Sequence, residues 1–99
     1  MPDKDGYPTK KELDYIKNYD LLKIQSFKPL IIFLRSIWWQ ANWGFKFNKY
    51  DLELHTGGWS GNEEIISVLQ NTIFWFLCWE KSIRGGHYYF KIYKEDYEK

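Results

Sequence analysis

The chain has one cysteine, Cys78, so it can form no internal disulfide, and it holds no CxxC pair for a zinc knuckle or a redox centre. It has almost no net charge. The 14 Lys+Arg residues stand against 13 Asp+Glu for a balance of +1, which excludes an acidic DNA mimic and gives no global pull toward nucleic acid. Long hydrophobic runs are missing too: the longest, Pro29 to Leu34, stops at Arg35, far short of the roughly 18 apolar residues of a membrane span. The start, Met1-Pro2-Asp3-Lys4-Asp5, is charged where a signal peptide needs an apolar stretch. Neither HExxH, GxSxG, a phosphate-loop lysine nor a full GxGxxG occurs, and no internal repeat or low-complexity linker is seen. The reading is therefore a non-enzymatic cytoplasmic protein with no cofactor, no metal and no membrane contact.

What the chain does have is aromatics: six Trp, eight Tyr and seven Phe in 99 residues. A chain this short builds one hydrophobic core, so we expect a single domain over 1–99, with 1–8 and 94–99 as frayed tails. Either the core is rich in rings or an aromatic surface is left for a partner.

Thr9-Lys10-Lys11-Glu12 has the form of a capping box and predicts a short helix over Lys10 to Asn18, with Leu13 and Ile16 on its inner side. Ser26 is a second N-cap candidate. Leu30, Ile31, Leu34 and Trp38 recur at helical spacing, predicting a buried helix over Phe27 to Gln40, with Pro29 tolerated in its first turn. After Gly44 the period changes to two. A Lys49-Tyr50 turn would set Phe47 opposite Leu52, Lys46 opposite Glu53 and Phe45 opposite Leu54, which sorts apolar from charged faces. Ser60-Gly61-Asn62-Glu63 reads as another capping box and opens a helix ending at Asn71.

Thr72 to Ile83, rich in aromatic and β-branched residues, reads as a strand that turns at Gly85-Gly86 and returns through Ile92. A two-residue turn there would pair Arg84 with His87, Ile83 with Tyr88 and Glu80 with Lys91. It would put Ile73, Trp75, Leu77 and Trp79 in the core and leave Phe74, Phe76 and Cys78 on the other face with His87, Tyr89, Lys91 and Tyr93. The expected fold is α+β in the order ααββαββ, two hairpins making a four-stranded, mainly antiparallel sheet with about three helices. The strand order is not recoverable from the pattern.

Gly57-Gly58-Trp59-Ser60-Gly61-Asn62-Glu63-Glu64-Ile65-Ile66, with Phe74-Trp75, Trp79 and Arg84-Gly85-Gly86-His87-Tyr88-Tyr89-Phe90, resembles a family of small uncharacterised proteins of tailed bacteriophages and prophages. The resemblance covers the second half of the chain. It implies a bacterial host cytoplasm and an accessory role in redirecting replication or defence, and it carries no catalytic assignment.

Three candidate sites follow from the residues. Gly57, Gly58 and Ser60 precede a helix N-terminus, where exposed N–H groups suit an anion, although the same glycines also serve a sharp turn. Arg84, His87 and Lys91 beside Tyr89 and Tyr93 interleave charge with flat faces, as a single-stranded nucleic acid or nucleotide would want. Phe74, Phe76 and Trp39 are apolar where the expected helices give no cover, as a homodimer or a bacterial protein partner would want. His55, His87 and Cys78 are metal-ligand types on separate hairpins, without ligand spacing. The leading expectation is a phage-type protein that occupies a bacterial host or defence factor, an anti-CRISPR being one form. The alternative is a single-strand or nucleotide binder.

Overall fold

A computed structural model describes residues 6–98. Its elements run α1 (Lys10–Lys17), α2 (Leu21–Ile24), α3 (Lys28–Ile37), α4 (Ala41–Gly44), β1 (Phe45–Asn48), β2 (Asp51–His55), α5 (Ser60–Leu69), α6 (Ile73–Cys78), β3 (Trp79–Ile83), β4 (His87–Lys91) and α7 (Lys94–Tyr97). The fold is α+β: two hairpins form one four-stranded antiparallel sheet in the order β1-β2-β4-β3. The two inner strands come from different hairpins.

The first helix starts where the sequence says. Thr9 Oγ1 accepts from the Glu12 N–H at 3.2 Å, and Glu12 Oε1 accepts from the Thr9 N–H at 2.8 Å. The first hairpin has the expected register, Phe45 with Leu54, Lys46 with Glu53 and Phe47 with Leu52. Its turn residues Lys49 and Tyr50 both take positive φ (49° and 72°), as a two-residue turn matched to strand twist requires.

The second capping box is not used. Trp59 occupies the N-cap of α5 without a side-chain bond, and the Ser60 hydroxyl lies 3.1 Å from the Tyr7 hydroxyl instead. Helix α3 ends at Ile37, three residues before Gln40. This resolves the neighbouring pair Trp38-Trp39: Trp38 turns inward to 4% exposure, and Trp39 turns out onto the Trp59 ring, 4.6 Å between centroids.

The largest correction is at Thr72 to Cys78, which is helix and not strand. Thr72 Oγ1 caps α6 by accepting from the Trp75 N–H at 3.3 Å. Ile73-Phe74-Trp75-Phe76-Leu77 is apolar at every position, so neither period shows, and β-propensity alone favours the strand. On a helix, positions four apart share a face. Phe74 and Cys78 are accordingly buried, at 0% and 1% exposure, and Ile73 and Leu77 face out, the reverse of the strand expectation, while Phe76 faces out on either reading.

The second hairpin is also shifted. Its turn spans Arg84-Gly85-Gly86, so Ile83 pairs with His87 and Ser82 with Tyr88, and a bulge lies between Trp79 and Lys81. On the other side of β4 the Gly86 carbonyl accepts from the Thr56 N–H at 2.9 Å, which extends the β2–β4 ladder by one residue.

The core lies on one face of the sheet, where Phe45, Leu52, Leu54 and Phe90 meet Leu30, Leu34 and Ile37 of α3, Ile65 and Leu69 of α5, and Phe74 of α6. The 94–98 segment, expected to fray, carries α7. It is tied down by the Phe27 N–H to the Asp96 carbonyl (2.6 Å) and by the Ser26 hydroxyl to the Tyr97 carbonyl (2.8 Å). Among the described residues no helix is long and apolar enough to cross a membrane.

Candidate functional site

The Thr56 N–H to the Gly86 carbonyl and the Ile92 N–H to the Tyr50 carbonyl fix the phase of the β2–β4 ladder. Hydrogen-bonded pairs alternate with non-hydrogen-bonded ones, whose side chains stand closer. Asp51 with Lys91, Glu53 with Tyr89 and His55 with His87 are the close pairs. All six project from the face opposite the core, because Leu52, Leu54 and Phe90 between them are buried.

This closeness builds one cluster at the end of the strands. His55 Nδ1 lies 2.8 Å from His87 Nδ1, and His55 Nε2 lies 3.3 Å from Glu53 Oε1. The His55 side chain is only 13% exposed. Its ring meets the Tyr89 edge at 6.0 Å and Trp43 at 6.0 Å between centroids. Gly44 brings α4 over β2 at this point, since a Cβ there would stand 2.5 Å from the His55 carbonyl. Lys81 Nζ sits 4.9 Å from the centre of the Tyr89 ring.

Of the basic and aromatic strip, the sheet brings His87, Tyr89 and Lys91 together on this face. Arg84 is in the exposed turn, and Tyr93 lies past the end of β4, 57% exposed. Lys91 pairs with Asp51 at 3.8 Å and not with Glu80, which the bulge takes out of register. Lys46, Lys81 and Lys91 thus share the face with Asp51 and Glu53, and no strong positive field results.

The glycine loop is a folded turn held by bonds back to Thr56. Gly57 and Gly58 take φ of 62° and 72°. The Gly58 N–H reaches Thr56 Oγ1 at 3.4 Å, the Trp59 N–H the Thr56 carbonyl at 3.0 Å, and the Ser60 hydroxyl pairs with Tyr7. Nearby, the buried Asn62 clamps Trp39 from both sides, accepting from its N–H at 2.9 Å and donating to its carbonyl at 3.0 Å. These bonds fix the Trp39 backbone, while its ring, stacked on Trp59, remains 38% exposed.

The apolar surface is relocated, not lost. Phe74 is in the core and is not available to a partner. Along α6 and β3, Phe76 is 82% exposed, and Ile73, Leu77, Trp79 and Ile83 each show 38–47% of their surface. Leu21, Leu22, Ile73 and Leu77 line a groove of about 590 Å³ between α2 and α6. A second groove, about 540 Å³, lies between α3 and β1 beside Arg35 and Phe47. Cys78 behaves as a small hydrophobe: burial, aided by the Asp96 charge, pushes its thiol up to about 12. Among the described residues no group of three or more His, Cys, Asp or Glu side chains is arranged to hold a metal ion.

The contact of His55 with His87 is what sequence reasoning missed. It rested on their being in different hairpins, and the order β1-β2-β4-β3 makes those hairpins neighbours. Each histidine ends its strand beside a glycine turn, the one local sign of a shared end. Comparison with family models, with curated proteins and with solved structures finds no match to this chain.

Proposed function

We propose that the chain is a small non-enzymatic binding protein of the phage or prophage type, acting in the bacterial cytoplasm by occupying a host or defence protein. The observation that carries this reading is the apolar run Ile73, Phe76, Leu77 and Trp79, exposed along one helix and into the start of the edge strand that follows it. Monomers rarely leave such a run in water without a use for it, and aromatic anchors dominate protein interfaces. The phage context comes from the resemblance of the second half of the chain.

Expressed with a tag in bacteria, the wild-type chain is expected to retain a stoichiometric partner that the double variant Phe76→Ser, Trp79→Ser does not. Equal retention by both, or none by either at matched expression, rejects the reading. A homodimer through the same surface would show as a doubled solution mass that the double variant halves.

The nucleic-acid alternative, through Arg84, His87, Tyr89 and Lys91, ranks second because carboxylates share the face. It predicts single-strand binding that weakens steeply with salt and with Arg84→Ala.

A further inference from the structure

From the His55–His87 pair we infer a site for a divalent transition metal ion of tetragonal preference, copper(II) or nickel(II), clamped by the two Nδ1 atoms across β2 and β4. The two nitrogens stand 2.8 Å apart. With metal–nitrogen bonds of about 2.05 Å, that separation subtends about 86° at the ion. A cis pair in a square-planar or tetragonal site needs about 90°, so copper(II) and nickel(II) fit the existing spacing. A tetrahedral zinc site would require the nitrogens about 3.4 Å apart, hence an opening of the pair.

The surroundings match what a ligating imidazole needs. Glu53 Oε1 lies 3.3 Å from His55 Nε2, so the Nε2–H of His55 donates to a carboxylate and its Nδ1 carries the lone pair. That is the carboxylate–histidine–metal arrangement that orients a ligand and raises its basicity. With both rings neutral, the shared proton of the hydrogen-bonded pair is then on His87 Nδ1. On coordination it moves to His87 Nε2, which lies beside Gly85. The mostly buried His55 and the rings of Trp43 and Tyr89 limit rotation of the clamp, and pre-organisation of this kind favours binding. Two protein nitrogens leave the remaining coordination positions to water.

Titrating the full chain with copper(II) tests the site. The expected result is one ion per chain with micromolar affinity, an electron paramagnetic resonance spectrum showing two equivalent-type imidazole nitrogens, and loss of that signal in His55→Ala and His87→Ala. Glu53→Gln is expected to weaken binding about tenfold or more. The spectrum of the wild-type protein decides the matter even if a variant misfolds: a signal from one imidazole or none overturns the proposal. So does binding that His87→Ala leaves unchanged in a folded protein. The result is independent of whether a bacterial partner exists.

Discussion

Tyr19 and Cys78 are buried titratable groups that never need to ionise at neutral pH. Burial, with the nearby Tyr15, pushes Tyr19 up to about 12, and its hydroxyl donates to the Ser26 carbonyl. The folded state holds this proton more tightly than the unfolded chain, so its contribution to stability is full below about pH 10 and is lost as the pH rises through 12. Chemical denaturation at pH 8 and pH 11 should show a steeper loss for the wild type than for Tyr19→Phe. Cys78 should resist thiol reagents until the protein unfolds, because both burial and a raised thiol disfavour the thiolate. The glycines separate two causes of strain. A Cβ at Gly86 would stand 2.2 Å from Thr56 Oγ1, whereas one at Gly58 meets nothing within 4 Å, though both take positive φ. Gly86→Ala is expected to be far more destabilising than Gly58→Ala, which carries only a backbone penalty of about 1 kcal/mol; thermal melts compare them directly.

At the scale of elements, the helix α6 is tested by its two phenylalanines. Phe74→Ala removes a fully buried ring and should cost about 3–5 kcal/mol, whereas Phe76→Ala, at the surface, should change stability by less than about 0.5 kcal/mol. A strand with Phe74 outward would put Phe76 on the same outward face, and both changes would then be small. Thr9→Ala removes the capping box of α1 and should cost about 1 kcal/mol. These elements also mark what the sequence makes legible. Thr9 with Glu12, and the charge-sorted hairpin around Lys49-Tyr50, are local signals that no tertiary contact overrides. Residues 72–78 were not legible because five consecutive apolar side chains erase the period that separates helix from strand. The register of β4 against β3 was not legible because the turn takes in Arg84 as well as the two glycines and a bulge follows between Trp79 and Lys81, neither of which the side-chain alternation marks. The candidate site was half legible: His87, Tyr89 and Lys91 follow from one strand's alternation, but His55 and Glu53 join them only through the strand order.

For the whole molecule, one face of the sheet supports the core, while the other face and the α6–β3 edge carry groups the fold itself does not consume. The core accounts for Phe27, Phe45, Phe74, Phe90 and Trp38, and the Trp39–Trp59–Tyr7 stack closes the loop end of the sheet. Phe76, Trp79 and Ile83 are left over. We propose that this remainder meets a bacterial protein. A photo-crosslinking residue placed at position 76 in the full chain, irradiated in bacterial cells, should form one dominant adduct with a bacterial protein. The same residue at Lys46, which is exposed on the far edge strand, should form none. Adducts only between copies of this chain, or equal labelling from both positions, would contradict the claim.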